Sequence, residues 1–423
     1  LTLSITILIL LLLLQGGISL AGGVQFVRYV RKSLSSPGSS HTPPAAIIAP
    51  VKGLDAGIAD NIGRLFAQNY PGYEIIFVIA EPRDPARAVI EQAIAVNPGR
   101  QARLIIAGSR SGRSQKVNNL LHGVAAADPR SDVLVFVDSD AQVSPDWLSA
   151  LVDPLGDADV GASTGYRWYL PVTSGFWSEL VSAWNGSIAT TLGDHGRNFV
   201  WGGSAAITRD TFERIRVADN WERAVSDDYA LTAAVRQAGL RIVFVPRCLL
   251  VTREDFGLKS ALEFTRRQVT ITRVYKPAAW WTGLISHTLF AAGFFGGIGW
   301  AMYEALIRPV TPPNSIIPAA ATPARLGAST QKMSFLIVAL CLIYVLGCIK
   351  GWLRLRAAGL LLPQARSELR PSRIMFYMLW PLVSLLFLYD FLASATTRKI
   401  KWRGIWYEMR SPTETIVLNH EKK

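Results

Sequence analysis

With 423 residues the chain can hold one sizeable domain plus further segments, since single cores stop growing near about 250–300 residues. Half of the residues are hydrophobic, 18% are charged and the mean hydropathy is +0.25, a balance too apolar for an ordinary soluble domain and expected of a membrane protein. The net charge of +13 reads as basic loops facing an anionic leaflet; no basic stripe interleaved with aromatics speaks for nucleic acid, and Cys248, Cys341 and Cys348, without CxxC or ligand spacing, exclude a disulfide scaffold or zinc site.

In chain order, residues 1–27 carry no charge, and "SITILILLLLLQGGISLAGG" is long enough to cross a bilayer. The run lacks a preceding basic region and is long, which favours a retained transmembrane helix over a cleaved signal. Arg28, Arg31 and Lys32 follow directly, so by the positive-inside rule the far end of this helix is cytoplasmic. Residues 28–44 form a linker rich in Pro, Ser and Gly. From 45 to 277 short apolar runs alternate with amphipathic stretches: "AAIIAPV", "GIADNIGRLFAQNY", "YEIIFVIA", "PARAVIEQAIAVN", "RLIIAG", "KVNNLLHGVAAA", "DVLVFVDSD". This strand–helix order predicts an α/β domain with a mainly parallel sheet and a ligand crevice at the carboxyl ends of its strands.

The chain then turns apolar again. Residues 278–308, 333–353 and 374–395 are each long enough to span, the last as a transmembrane or re-entrant helix. The first two are separated by a Pro-rich loop, 309–332. A basic loop, 354–373, follows the second and is expected in the cytoplasm. Four crossings put the α/β domain in the cytoplasm, but they would leave the basic tail, 396–423, outside; either the last segment is re-entrant or interfacial, or the tail breaks the rule. His287 and Asp390 lie within these spans and are read as making polar contacts between helices.

The residues that carry chemistry cluster at strand ends. In "APVKGLDAG", Gly53 and Gly57 permit a tight turn and Asp55 can accept hydrogen bonds from an imide or a ribose hydroxyl; the stretch is equally a surface turn. Lys116, ahead of "VNNLL", can neutralise a diphosphate or reach a sugar. In "LVFVDSDAQV", Asp138 and Asp140 stand one residue apart after a buried strand, where two hard carboxylates can hold Mg²⁺ or Mn²⁺ against phosphate oxygens. Without a metal the same residues read as a capped turn. In "NFVWGGSAAITRD", Gly202 and Gly203 beside an exposed-looking Trp201 let backbone approach a sugar or acceptor, or form a bulge. Asp227 and Asp228 open an amphipathic helix, as dipole caps or as a general base. Arg266, Arg267, Arg273 and Lys276 precede the membrane as an anchor or as holders of a leaving diphosphate.

Taken in order, "PVKGLD", "NYPGYEIIFVIAEPRDPA", "KVNNLL", "VDSDAQV", "GGSAAITRD", "SDDYALTAAVRQAGLRI" and "IKWRGIWYEM" resemble the glycosyltransferase family 2 enzymes of the GT-A fold, above all the ceramide glucosyltransferase type, over nearly the whole chain. The resemblance implies a GT-A nucleotide-diphosphosugar transferase domain flanked by N- and C-terminal transmembrane helices in a multi-pass membrane protein. It implies Asp55 and Asp84 as contacts of the base and ribose, and Asp138 and Asp140 as the aspartate pair for diphosphate and metal. Asp228 is then the base of an inverting transfer from a UDP-sugar to a lipid hydroxyl such as that of ceramide. The family's motif of Gln or Arg, two spacers, Arg and Trp falls on residues 264–268. Arg267 matches, while Phe264 and Gln268 depart from it, so the aromatic platform is missing from its usual place. That departure argues against a processive polysaccharide synthase. A polyprenyl-phosphate sugar transferase and a catalytically inactive membrane scaffold are the other readings; intact Asp138, Asp140 and Asp228 speak against the scaffold.

Overall fold

The computed structural model describes residues 3–36, 41–109, 112–306 and 322–420. Seven strands form one sheet: β1 (Ala45–Pro50), β2 (Tyr73–Ile79), β3 (Ala102–Ile106), β4 (Val133–Val137), β5 (Val160–Leu170), β6 (Ser204–Thr208) and β7 (Arg241–Arg253). Their order is β3-β2-β1-β4-β6-β5-β7, with β6 antiparallel to both neighbours and the remaining pairs parallel. β1, β2 and β4 are buried at every position, as strands must be when both faces are covered. Successive side chains enter opposite cores: Ile47, Ile75 and Phe77 point into one, Ile48, Val78 and Phe136 into the other.

The first of these cores does not end at the domain. It continues into the long N-terminal helix, Leu3–Ser35, through Phe26, Val27 and Val30, and into the C-terminal helices through Phe376 and Phe391. Phe26 stacks on Phe244 of β7 at 6.1 Å, and Trp168 of β5 stacks on Phe376 at 5.6 Å. Each such ring pair adds about 0.5–1.5 kcal/mol beyond its burial. The sheet is thereby fused to the apolar helices instead of hanging from them by a linker.

Among the described residues three helices are long and apolar enough to cross a membrane: Thr6–Ser35, Pro277–Leu306 and Gln331–Leu361. The first runs on past residue 27 into what the sequence reads as linker, and the third extends to Leu361, into the expected basic loop. Part of the Pro-rich loop, residues 309–321, lies outside the described residues. The segment expected at 374–395 is broken into Arg373–Tyr377 and Trp380–Ala395, with Pro381 in the first turn of the latter. Sixteen residues rise about 24 Å, short of a hydrocarbon core of about 30 Å. Trp380 packs among Phe290, Phe294 and Tyr344 of the spanning helices, whereas Ser394, at the other end, receives the Trp280 indole N–H at 2.8 Å and lies beside the domain. Asp390 is buried and accepts from Thr265 at 2.9 Å, a contact between helices.

Residues beyond Ala395 are not an irregular tail. They form an antiparallel meander, β8 (Lys399–Trp402), β9 (Ile405–Ser411) and β10 (Glu414–His420). Its apolar face, with Ile400, Ile405, Tyr407 and Met409, packs on Val225 and Ile271 of the α/β domain. Meander and domain therefore lie on the same side of the apolar helices.

Candidate active site

The strand ends of β1 and β4 open into a cavity of about 1120 Å³ whose wall includes Asp55, Lys116, Asp138, Asp140, Asp228 and Arg267. The sequence around each residue explains its placement. β4 ends at Val137, so Asp138 and Asp140 leave the sheet at its carboxyl edge. Ser114 caps the helix Gln115–Ala126 by accepting from Val117 N at 3.2 Å, which sets Lys116 in the first turn, above Asp138. Ser226 caps the helix Asp227–Gln237 in the same way, fixing both acids at its N-terminus, where the helix dipole favours negative charge.

Lys116 organises this end of the site. Its ammonium lies 2.7 Å from Asp138 Oδ1 and 3.3 Å from Asp227 Oδ2, and donates to the Gly202 carbonyl at 3.3 Å. Burial alone would lower the Lys116 ammonium, but Asp138 and Asp227 outweigh it and hold it above its ordinary value. Asp227 is buried, and desolvation pushes its carboxyl up to about 7, Lys116 opposing and Asp228 and Asp138 adding to the rise. Burial also raises Asp140, reinforced by the Asp138 carboxylate, with the Arg167 guanidinium at 3.7 Å pulling the other way.

Asp228 is held differently. Its Oδ1 accepts from the Ser226 hydroxyl and from Tyr229 N–H, the latter at 2.7 Å. Its Oδ2 accepts no hydrogen bond among the described residues, and the residue lines the cavity. One oxygen is thus fixed and the other is free for a proton.

Two expected site residues stand otherwise than the sequence suggests: Asp84 is not in the cavity wall, and Trp201 lines it as a buried ring. Asp84 accepts from Gly53 N at 3.0 and 3.2 Å and from Ala86 N at 2.9 Å, so it fixes the loop after β1, where Gly53 has φ +71°. Trp201 is 7% exposed; the exposed aromatic expected from sequence is instead packed in the wall against Tyr166 at 5.7 Å. The two glycines beside it make room for carboxylates. A Cβ on Gly202 would overlap Asp227 Oδ2, and one on Gly203 would overlap the Trp201 ring and stand 2.7 Å from Asp138 Oδ2. Gly202→Ala is therefore expected to force Asp227 off Lys116 and to lower stability by about 1–3 kcal/mol, read as a fall in the thermal midpoint of the purified protein.

Three residues escaped the sequence reading. Arg167, in the middle of β5, faces Asp140 and is ringed by Tyr169, Trp201 and Phe264 at 4.9, 5.4 and 5.6 Å. Its signal was available, a lone cation inside the apolar run "GYRWYL". Arg403, between β8 and β9, grips Asp55 with two hydrogen bonds of 2.6 and 3.0 Å, and Asp55 also accepts from Ser139 at 2.6 Å. Trp402 lies 6.0 Å from the Arg267 guanidinium, with Phe264 at 5.3 Å on the same cation. An aromatic partner for Arg267 thus comes from the C-terminal meander, not from position 268. Arg267 stays a cation near neutrality, although burial lowers it to about 10.

A mixed sheet with its acids gathered at one carboxyl edge, covered on both faces and fused to apolar helices, is the α/β architecture of the GT-A glycosyltransferases. The profile of glycosyl transferase family 21 matches residues 11–298, more than half of the chain, and the chain belongs to that family. It is 33% identical over 139 residues to the ceramide glucosyltransferase of Komagataella phaffii, a match that takes in 32% of this chain and 26% of that one. It is 25% identical over 134 residues to ceramide glucosyltransferase 1 of Caenorhabditis elegans, covering 32% and 28% of the two chains. The aligned stretch thus spans about a quarter of the curated relatives' length. Among solved structures, a mannosyltransferase from Pyrobaculum calidifontis in complex with GDP-Man and Mn2+ superposes with a TM-score of 0.47 at 16% identity, over 92% of this chain and 99% of that one.

Proposed function

We propose that the protein is an inverting membrane glycosyltransferase that moves a sugar from a UDP-sugar to a lipid hydroxyl, ceramide or a related lipid. The observation that carries this reading is the continuity of one cavity: its wall passes from Asp138 and Asp140 by Asp228 to Ser286, His287 and Phe387 of the apolar helices. A lipid headgroup cannot diffuse to a soluble site, and here the site opens among the helices.

The residues divide the work by position. Asp55 and the loop that Asp84 shapes suit the nucleoside. Lys116 and Arg267 offer positive charge to the diphosphate, which develops charge as the sugar departs. Asp228, with Oδ2 free, takes the proton from the attacking hydroxyl, and attack from the side opposite the leaving group inverts the anomeric carbon.

Asp138 and Asp140 fit a divalent metal. Two hard carboxylates stand together, and burial first and the Asp138 charge second raise the Asp140 carboxyl, a rise that Mg²⁺ or Mn²⁺ would oppose. No cluster of three or more protein ligands occurs among the described residues, so phosphate oxygens and water would complete the shell. When bound, the metal would neutralise charge on the diphosphate.

The meander on the domain and the turn back at 373–395 support a reading of three crossings with domain and tail on one side. Arg28, Arg31 and Lys32 support that side being the cytoplasm. The test is a transfer assay on detergent-purified protein with UDP- and GDP-sugars and a total lipid extract. A glycolipid made from a UDP-sugar, lost with EDTA and restored by Mn²⁺ or Mg²⁺, is expected; a long polymer, or transfer indifferent to chelation, would contradict the reading.

A further inference from the structure

The cavity wall holds two cations that the proposed chemistry does not use. Lys350 and Arg354 lie four residues apart on the helix Gln331–Leu361 and both line the cavity. Like charges at that spacing face each other and repel, and cations in an apolar helix are costly unless something compensates them. Neither finds a carboxylate among the described residues. Lys350 Nζ donates to Ser19 Oγ at 2.9 Å and Arg354 Nε to Thr190 Oγ1 at 3.2 Å, both neutral oxygens. Lys116, Arg253 and Arg403, by contrast, each meet an acid.

The two terminal nitrogens of Arg354 donate to nothing among the described residues. A guanidinium edge left open in this way matches two oxygens of one oxyanion, and an ammonium one turn away supplies a second charge to it. An interfacial anchor would turn its head outward to the headgroups, whereas these two line the same cavity as Trp380, Val383 and Phe387. The arrangement suits an anion, with an apolar wall beside it.

We propose that Lys350 and Arg354 hold the anionic group, of phosphate type, of the amphiphile that enters this cavity, leaving its hydroxyl to reach Asp228. This rests on the transferase reading for what happens to the hydroxyl, but not for the binding itself. Within that reading it narrows the acceptor to the related lipids that carry a negative charge beside the hydroxyl, and it sets ceramide itself, which is uncharged, aside.

The experiment is a binding titration on the full chain in uncharged detergent, followed by tryptophan fluorescence. The probes are dihexanoyl phosphatidylglycerol, uncharged dihexanoylglycerol and inorganic phosphate. Phosphatidylglycerol is expected to bind at least about tenfold more tightly than either of the others. Lys350→Met with Arg354→Gln is expected to abolish the preference, and Lys350→Arg to keep it, with unchanged melting curves showing that the variants are folded. Equal binding of charged and uncharged lipid by the wild type, phosphate binding as tightly as the lipid, or a preference that survives in the double variant would each overturn the proposal. Product formation is scored separately: a charge preference without any glycolipid would leave the anion site standing and remove the transferase reading.

Discussion

Asp228→Asn is expected to lower kcat for sugar transfer by about 10²- to 10⁴-fold, the usual worth of a positioned base, while changing the KM for the donor little. The substitution keeps an oxygen that can accept from Ser226 and Tyr229 N–H, so the first turn of the helix stays in place. What it removes is the free oxygen able to take a proton. Steady-state rates against donor and against lipid in mixed micelles separate the two effects. A variant as fast as the wild type would show that Asp228 is only a helix cap, the plainer role that two acids in a first turn always allow. A large rise in donor KM at unchanged kcat would place the residue in donor binding.

Lys116→Met is expected to be the most damaging single change to stability. It leaves Asp138 and Asp227 facing each other's charge with their shared cation gone. Removing one partner of a buried ion pair typically costs about 3–5 kcal/mol, which should appear as a drop of several degrees or more in the thermal midpoint. Adding Asp227→Asn should return part of that loss, and the double-mutant comparison isolates the coupling. The sign of the pH response follows from Asp227. Its folded carboxyl already titrates at about 7, above the ordinary 3.8, so folding favours the protonated form and this contribution is lost as the pH rises through 7. Without Lys116 the carboxyl moves higher still. The variant's deficit is therefore expected to be smaller at pH 5 than at pH 8, and an equal deficit at both would contradict the assignment.

Much of the domain was legible because its strands are unbroken apolar runs. "AAIIAP", "YEIIFVI" and "VLVFV" leave little alternative to buried parallel strands, and "DSD" at the end of one of them announces the crevice. The meander was not legible. "RKIKWRGIWYEMR" alternates cations with aromatics, which is a strand pattern, but its charge and its place after an apolar helix read first as a juxtamembrane tail. Trp201 was misjudged because the neighbouring glycines suggest an open loop, while in the fold they admit Asp227 and Asp138 at close range. The pair of Lys350 and Arg354 was hidden because cations at the end of a spanning helix ordinarily mark the interface. Only the packing shows that they line the cavity.

The contact between Arg403 and Asp55 joins residues 348 positions apart. A growing chain presents Asp55 early, and the arginine that grips it arrives only after the described apolar helices have been made. The finished pocket therefore reports on its own biogenesis. A chain whose last apolar helices failed to insert has this cavity without Arg403 over Asp55, so that assembly of the helices and closure of the cavity are tied to the same event.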